Sequence, residues 1–463
     1  MLKNSRATAL STNNCNFVSV TAHLMKRDHQ LNKGANYEKA FSWLVFLLFF
    51  AATCLNSFGK ILHLDFLHMS YQSWEISEWL INYEGGFVRR GLIGQLLWSM
   101  EQWFPHDIRV AIMGISLVAS ALFLYVLLRV FKKEGWALLI LPTGFCLGFT
   151  LFNLWGRRDY LSLMLTFSLF MLFRHQLSHP GKRLGWVAFY ILSALQILMH
   201  EASFFYTFPI LMLYSYHHSR SQQQTPVKSL CISAIRFLPV ILAMAAACIF
   251  KGNENVAQAI WDSWVPIISN YQPEASKMGW GVFALTWSPE MIFPSHFSTS
   301  LMGDVSPAVW RIPLVIFNLM AAYYLVTRIN SVNMGLYRPK PMNHIFMSNV
   351  ALIQFVCMLP MFTVLSCDWG RTIPYWVISS LLFYRTFNRE QVGFATLLTQ
   401  ASSKIQGAIS SSKVLRSPFT YILLVLIAPV PTYNAPLDHI NTFQQRFFSI
   451  ILDVFNQIAS YIS

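Results

Sequence analysis

The chain has 463 residues, of which 55% are hydrophobic and only 12% are charged, and its formal net charge is +14. Soluble globular domains contain about 25% charged residues, so this composition excludes an ordinary soluble domain. The positive charge on its own would suggest a nucleic-acid partner. Its distribution along the chain, described below, argues for a membrane protein and against nucleic-acid binding.

Apolar runs of about 20 residues, each able to cross roughly 30 Å of hydrocarbon as a helix, recur along the chain. They predict an all-α bundle of about eleven transmembrane helices, with the N-terminus inside and the C-terminus outside. The predicted spans are 40–59, 110–131, 135–154, 160–173, 184–199, 202–216, 230–250, 308–327, 344–366, 373–386 and 418–434. A helix over 184–216 would be about 50 Å long, which predicts a break at His200-Glu201.

These spans divide the chain into three parts. A polar cytoplasmic tail covers 1–38, the transmembrane helical domain covers 39–437, and an amphipathic interfacial helix is predicted at 438–463. With this layout the inner segments hold 23 of the 34 Lys and Arg residues, whereas the outer segments hold 16 of the 20 acidic residues. The basic charge therefore follows the rule that cytoplasmic loops of membrane proteins are rich in Lys and Arg.

Two outer loops, 60–109 and 251–307, are long. In the first, Trp74, Trp79 and nearby isoleucines alternate with Glu75 and Glu78, which predicts an amphipathic helix at the interface with both glutamates on its wet face. The second loop contains Trp261, Trp264, Trp280 and Trp287. These rings could stack on sugars, although an aromatic belt at the membrane interface accounts for some of them equally well.

Four polar clusters occur at the outer ends of apolar runs, and their placement on one face predicts a site. They are residues 84–91, 155–160, 200–201 and 367–371. Between them they contain Arg89, Arg90, Arg157, Arg158 and Arg371. Arginine presents a planar fork that matches phosphate oxygens, and the spans starting near 110, 160, 202 and 373 direct their helix N-termini outward. We predict a phosphate or pyrophosphate site; the alternative is ion pairing with nearby acids and lipid phosphates.

Other residues of these clusters have predicted supporting roles. Gly85 and Gly86 allow a tight turn and a close backbone approach to a ligand. Asp159 and Asp368 fit either helix caps or partners of the arginines. The pair His200-Glu201 is a candidate for proton transfer or metal binding.

A general base is expected among the acids of the first outer loop. Asp65 and Glu84 are the predicted candidates for taking a proton from an attacking sugar hydroxyl. The sequence contains no nucleotide-binding loop, no zinc-protease motif and no nucleophilic-serine motif. It predicts no cofactor and no resident metal site, and leaves open whether a divalent metal takes part.

The predicted order of elements resembles that of the GT-C superfamily of integral-membrane glycosyltransferases. A first span is followed by a long outer loop with an acid and an amphipathic helix, and then by many further spans. The layout is also similar to Wzy-like polysaccharide polymerases. Both resemblances cover most of the chain. They imply a polyprenyl phosphate or pyrophosphate donor at the outer face, with Asp65 as the acid after the first span. They also imply Arg89 and Arg90 as the loop arginines of a polymerase.

The sequence thus favours a multi-pass transferase or polymerase of the bacterial inner membrane that acts in surface polysaccharide assembly. Its expected partners are a polyprenyl-linked sugar donor, membrane lipids and other polysaccharide assembly proteins, with no nucleic acid. Two alternatives stay open: a transporter or flippase for a lipid-linked or anionic solute, and a non-catalytic membrane scaffold.

Overall fold

The computed structural model describes residues 69–130, 157–272, 277–288, 311–329, 342–363, 365, 369–387, 394–427, 430–431 and 440–441, together with Ala40 and Leu44. The predicted span 135–154, nearly all of the span 40–59, and most of the predicted tail helix lie outside these residues. Within them the fold is α-helical, as predicted, apart from one pair of two-residue strands.

Fifteen α-helices occur in the described part of the chain, in three groups of five along the sequence. The first group is α1 Trp74–Ser77, α2 Gly91–Trp103, α3 Ile108–Val130, α4 Asp159–Ser178 and α5 Arg183–Met199. The second is α6 Ser203–Ser221, α7 Pro226–Ile249, α8 Glu254–Ile268, α9 Trp280–Phe283 and α10 Arg311–Thr327. The third is α11 His344–Cys357, α12 Leu359–Thr363, α13 Trp369–Phe387, α14 Thr396–Ser411 and α15 Pro418–Ile427. Short 3₁₀ turns follow at Glu78–Leu80 and Ala284–Thr286.

Two of the described helices have the length and apolar composition of a membrane span: Ile108–Leu127 within α3, and α7. Three shorter helices are also apolar, namely α5, the segment Ile316–Thr327 of α10, and α11. Every predicted span that falls within the described residues overlaps a helix. The span 344–366 is divided, because α11 ends at Cys357 and α12 begins at Leu359.

Local sequence signals account for several helix ends. The predicted break at His200-Glu201 is confirmed: α5 ends at Met199, His200 has an extended backbone (φ −159°, ψ 101°), and α6 begins at Ser203. The helix α7 begins with proline at its first position, where a missing N–H costs nothing, and Thr225 accepts a hydrogen bond from the Lys228 backbone. Asn253 and Asn343 cap α8 and α11 in the same manner.

The helices bury two separate hydrophobic clusters, which define two units. The bundle is built around α4, α5, α6, α7, α10, α11 and α13, with α14 packed on α11, and aromatic rings such as Phe170, Phe173, Tyr214 and Phe383 lie at its centre. The cover consists of residues 69–104, 251–272 and 277–288. Its core includes Trp79, Trp261 and Trp264, and the Trp264 indole donates to the Leu80 carbonyl over 2.7 Å.

The predicted amphipathic helix of the first outer loop is much shorter than expected, and the orientation predicted for Glu78 is wrong. The segment forms the four-residue α1 and one 3₁₀ turn, and Glu78 is only 2% exposed. The helices α8 and α9 pack over this segment and bury Glu78 together with its apolar neighbours. For the same reason Trp261 and Trp264 are core residues and present no free ring face to a sugar.

The C-terminal part differs from the expected layout. The helix α15 ends at Ile427, seven residues before the predicted end of its span at 434. Val430–Pro431 then pairs with Ile440–Asn441 in an antiparallel strand pair. The predicted helix at 438–463 therefore cannot begin before residue 442, and the rest of it lies outside the described residues.

Gly94 is the tightest contact between α2 and the loop of the cover. A Cβ atom there would lie 1.9 Å from the Ile81 carbonyl oxygen, whereas Gly114 in α3 has nothing within 4 Å. We predict that Gly94→Ala lowers the free energy of unfolding by about 1–3 kcal/mol or more, since backbone would have to move. The matched control Gly114→Ala should leave it unchanged or raise it. Thermal unfolding of the purified variants measures both, and equal stability of the two would contradict the packing described.

Candidate functional site

A tight turn before α2 carries the first two arginines. Gly86 has φ +101°, a conformation that favours glycine, and its N–H donates to the Tyr83 carbonyl over 2.9 Å. Gly85 lies against the backbone of Val256, where a Cβ would be 2.6 Å from the carbonyl oxygen. Arg90 also has a left-handed backbone, with φ +66°, which costs a non-glycine residue about 1–2 kcal/mol. The turn thus directs the Arg89 and Arg90 side chains toward the α5–α6 junction.

Glu201 receives both of these arginines. Arg90 donates from Nε over 2.7 Å and from Nη2 over 2.6 Å to the two oxygens of the Glu201 carboxylate, and Arg89 Nη1 donates over 3.1 Å. A two-point contact between a guanidinium and a carboxylate has the same geometry as one between a guanidinium and a phosphate. Glu201 therefore anchors the arginine loop of the cover to the bundle.

Arg371 forms a second ion pair at the same level of the bundle. Its guanidinium donates to both oxygens of Asp159, at 3.1 and 3.2 Å from Nε. It also contacts His200, with Nη2 at 3.2 Å from the imidazole Nε2. Because arginine only donates, His200 Nε2 accepts, and the proton of the neutral ring is on Nδ1. That Nδ1 is buried and has no hydrogen-bond partner in the described chain.

Arg157 and Arg158 connect the bundle to the cover. The Arg157 guanidinium lies 5.6 Å from the centre of the Trp74 ring, and that of Arg158 lies 6.0 Å from the Trp79 ring. Arg158 is fully buried and donates from Nη1 to the Arg90 carbonyl over 3.1 Å. Its Nε and Nη2 atoms have no hydrogen-bond partner in the described chain.

Glu78 is a member of this site that the sequence did not indicate. It is adjacent in sequence to Trp79 and follows Trp74 by four residues, and the charges of Arg157, Arg371 and Arg158 act on its carboxylate. Its Oε1 atom is buried and has no hydrogen-bond partner among the described residues. The run Trp-Glu-Ile-Ser-Glu-Trp gives no signal for this burial, because glutamates that alternate with apolar residues are the pattern of an amphipathic helix with a solvent-facing side.

Among the described residues, ion pairs join Arg89 and Arg90 to Glu201 and Arg371 to Asp159, and the charges of Arg157, Arg158 and Arg371 act on Glu78. We call these five arginines and three carboxylates the arginine cluster. The arginines are Arg89, Arg90, Arg157, Arg158 and Arg371, and the carboxylates are Glu78, Asp159 and Glu201. Four helices of the fold also begin here, namely α2, α4, α6 and α13. Helix N-termini carry partial positive charge, so the cluster favours an additional anion for two independent reasons.

The surroundings fix the ionisation of the main groups. Burial would raise the pKa of Glu201, but Arg90 and Arg89 hold it well below its usual range. Burial and the neighbouring Arg90 and Arg371 lower the pKa of His200 well below 6.5, so the ring is neutral at pH 7. Burial lowers the pKa of Arg158 to about 10, which keeps it charged at pH 7. Glu201 is therefore a weak base that positions two arginines.

The remaining predicted site residues lie elsewhere. Glu84 is exposed, and its backbone N–H donates to the Asn82 side chain, away from the cluster contacts just described. Asp65 and Asp368 lie outside the described residues. Within the part of the chain that the structure describes, no three His, Cys, Asp or Glu side chains come together as metal ligands.

Comparison with protein-family models, with curated proteins and with solved structures matches no family, no relative and no known fold. The functional argument for this chain therefore rests on the arginine cluster itself.

The ion pair between Asp159 and Arg371 should be important for stability. Replacing Asp159 by Asn leaves a buried guanidinium without its counter-charge, and we predict a loss of about 3–5 kcal/mol in the free energy of unfolding. Asp262 is exposed and accepts only from Gln258, so Asp262→Asn is the matched control, with a change within about 0.5 kcal/mol. Thermal or denaturant unfolding in detergent measures both. A loss no larger for Asp159→Asn than for the control would contradict the pairing.

Protonation of Glu78 is expected to lower the stability of the protein at acidic pH. Burial would raise its pKa, but Arg157, Arg371 and Arg158 lower it from 4.5 to about 2. A carboxyl whose pKa is depressed on folding contributes stability that is complete above pH 4.5 and is lost as pH falls toward 2. We predict that the melting temperature falls more steeply from pH 5 to pH 2 in the wild type than in Glu78→Gln. Glu75 is a half-buried neighbour of Glu78, and Glu75→Gln is the control. The same dependence of melting temperature on pH in all three proteins would contradict the lowered pKa of Glu78.

Proposed function

We propose that this chain is a multi-pass inner-membrane enzyme that transfers or polymerises sugars from a polyprenyl-phosphate-linked donor, at the outer face, during surface polysaccharide assembly. The observation that carries the proposal is the arginine cluster: among the described residues, three buried and two partly buried guanidinium groups lie together with three carboxylates. It argues for an anionic ligand that binds in a site shielded from solvent.

Phosphate is the anion that the chemistry of the cluster fits best. Guanidinium forks bind phosphate oxygens at two points, and buried charge without compensation is costly. Among the described residues the cluster has two more positive than negative charges, and this excess attracts a ligand of opposite sign. Arg158 supports this directly, because two of its buried nitrogens have no partner in the described chain. The donors are also fixed in advance: Glu201 holds Arg89 and Arg90, and Asp159 holds Arg371.

The lipid part of the donor is supported by the apolar exterior of the bundle. One side of α7 exposes a row of large aliphatic side chains, and α3 exposes a second row. The row on α7 comprises Val227, Leu230, Ile235, Leu238, Leu242 and Ile249. Exposed apolar surface on this scale marks contact with lipid or another protein. A polyprenyl chain along such a surface would bring its phosphate to the level of the cluster.

In the transfer, the bond between the anomeric carbon and the phosphate oxygen breaks, and its electron pair stays on the phosphate. Fixed positive charge at that oxygen lowers the barrier, and removal of one such donor typically costs about 10²–10³ in rate. The arginines therefore have two tasks, to bind the donor and to stabilise the departing phosphate. His200, neutral and directed by Arg371, adds a buried N–H donor at the same place.

A specific observation favours a transporter as the second candidate. Beneath Asp159, a hydrogen-bonded set of neutral side chains continues into the bundle. Thr166 and Thr207 hydroxyls are 2.9 Å apart, and the Gln196 amide donates to Thr166 over 2.8 Å. Polar residues within an apolar bundle can mark a solute path. These groups are uncharged and bond mainly to one another, with Gln196 Oε1 left without a partner in the described chain, so they explain less than the arginine cluster does.

Arginine-to-lysine changes separate a phosphate site from a set of structural charges. Lysine keeps the charge but loses the planar fork. We predict that Arg158→Lys weakens binding of a polyprenyl monophosphate by roughly tenfold or more, the equivalent of one charge-assisted hydrogen bond. Polysaccharide output should fall at an equal protein level.

Arg416 is exposed and belongs to no part of the cluster, so Arg416→Lys is the matched control and should change neither quantity. Binding is measured by native mass spectrometry in detergent. If Arg158→Lys binds the polyprenyl monophosphate as tightly as the wild type does, Arg158 is not part of a phosphate site. Analysis of the lipid-linked pool decides between the candidates, because a transporter relocates its solute without forming a new glycosidic bond.

A further inference from the structure

Glu78 is a buried carboxylate with an oxygen that no described residue satisfies. Buried polar atoms in folded proteins are nearly always hydrogen-bonded, and each exception calls for an explanation. Its surroundings are unusual as well, because it is 2% exposed and yet lies within the electrostatic reach of Arg157, Arg371 and Arg158. The arginine cluster would hold together through Asp159 and Glu201 without it.

The backbone around Glu78 is fixed from several directions. A Cβ on Gly281 would lie 2.4 Å from the Glu78 nitrogen, so only a glycine allows α9 to approach this closely. The Gly281 N–H donates to the Ser77 hydroxyl over 2.7 Å, and the Trp264 indole donates to Leu80. Catalytic groups are held rigidly in this way by contacts from neighbouring elements.

We propose that Glu78 is the catalytic residue that accepts the proton of the acceptor hydroxyl, an inference that rests on the proposed function. The hydroxyl proton moves to Glu78 Oε1, and the oxygen forms the new bond to the anomeric carbon. The bond from that carbon to the phosphate oxygen breaks, and its electron pair stays on the phosphate beside the arginines. The proton then leaves Glu78 for solvent, and no oxidant, reductant or further reactant is needed.

The same arginines control when Glu78 is basic. In the free protein they keep the carboxylate ionised, and their charge makes it a weak base. A bound phosphate neutralises part of that charge, so the basicity of Glu78 increases only when the donor is in place. This order protects the enzyme from activating a hydroxyl when no donor is present.

Glu78→Gln tests the proposal with two readouts. The probes are a polyprenyl monophosphate for binding and, for transfer, the lipid-linked oligosaccharides extracted from a strain that lacks this protein. We expect Glu78→Gln to bind the monophosphate at least as tightly as the wild type, because one negative charge beside the arginines is gone. Transfer should fall by about 10²–10⁴-fold, the usual effect of losing a positioned base. Glu75→Gln, in the short helix that precedes Glu78, should be normal in both assays.

Glu78→Asp keeps the charge but withdraws the carboxylate by one methylene. A displacement of about 1 Å can cost about 10² in rate, so it should bind normally and transfer slowly. Near wild-type transfer by either variant would overturn the role of Glu78 and leave the proposed function standing. If Glu78→Gln fails to accumulate, transfer by Glu78→Asp decides. If the wild-type protein neither binds the monophosphate nor consumes the lipid-linked pool, the proposed function fails and this inference with it.

Discussion

Burial of charge between two apolar units is the constraint on which the rest of the structure depends. The cover and the bundle each have a hydrophobic core of their own, and the arginine cluster lies where they meet. Guanidinium groups taken out of water lose several kcal/mol of solvation each, which their carboxylates offset only where the geometry is good. The two-point contacts of Arg90 with Glu201 and of Arg371 with Asp159 meet that requirement.

The acidic residues of the cluster fall into two groups, those that are fully paired with arginine and one that is not. Glu201 and Asp159 accept several hydrogen bonds from arginine and are thereby occupied as supports. Among the described residues, Glu78 has an oxygen without a hydrogen-bond partner, and His200 has such a nitrogen. Buried polar groups without a partner cost free energy, so each one calls for an explanation. Burial and pairing therefore separate the supporting acids from Glu78 better than sequence position does.

The left-handed backbone of Arg90 belongs to the same arrangement. It places two consecutive arginines on one carboxylate from another unit, which a regular turn would not do. Strain of this kind persists only where surrounding contacts enforce it, and it is found preferentially at ligand sites. Here the enforcing contacts are Glu201, the Phe250 carbonyl that accepts from the Arg89 N–H, and the close approach of Gly85 to α8.

The sequence by itself determined the helical class, the approximate extent of most helices, the break at His200-Glu201 and the polar segments that matter. These follow from local properties: apolar run length, capping residues and the limit on helix length. The pairing of the charges was decided only by the tertiary structure, because Arg371 meets Asp159 across 212 residues and Arg90 meets Glu201 across 111. Glu78 has the local pattern of a solvent-facing residue. It is buried because α8 and α9, which are distant in sequence, cover it, and no local pattern encodes that contact.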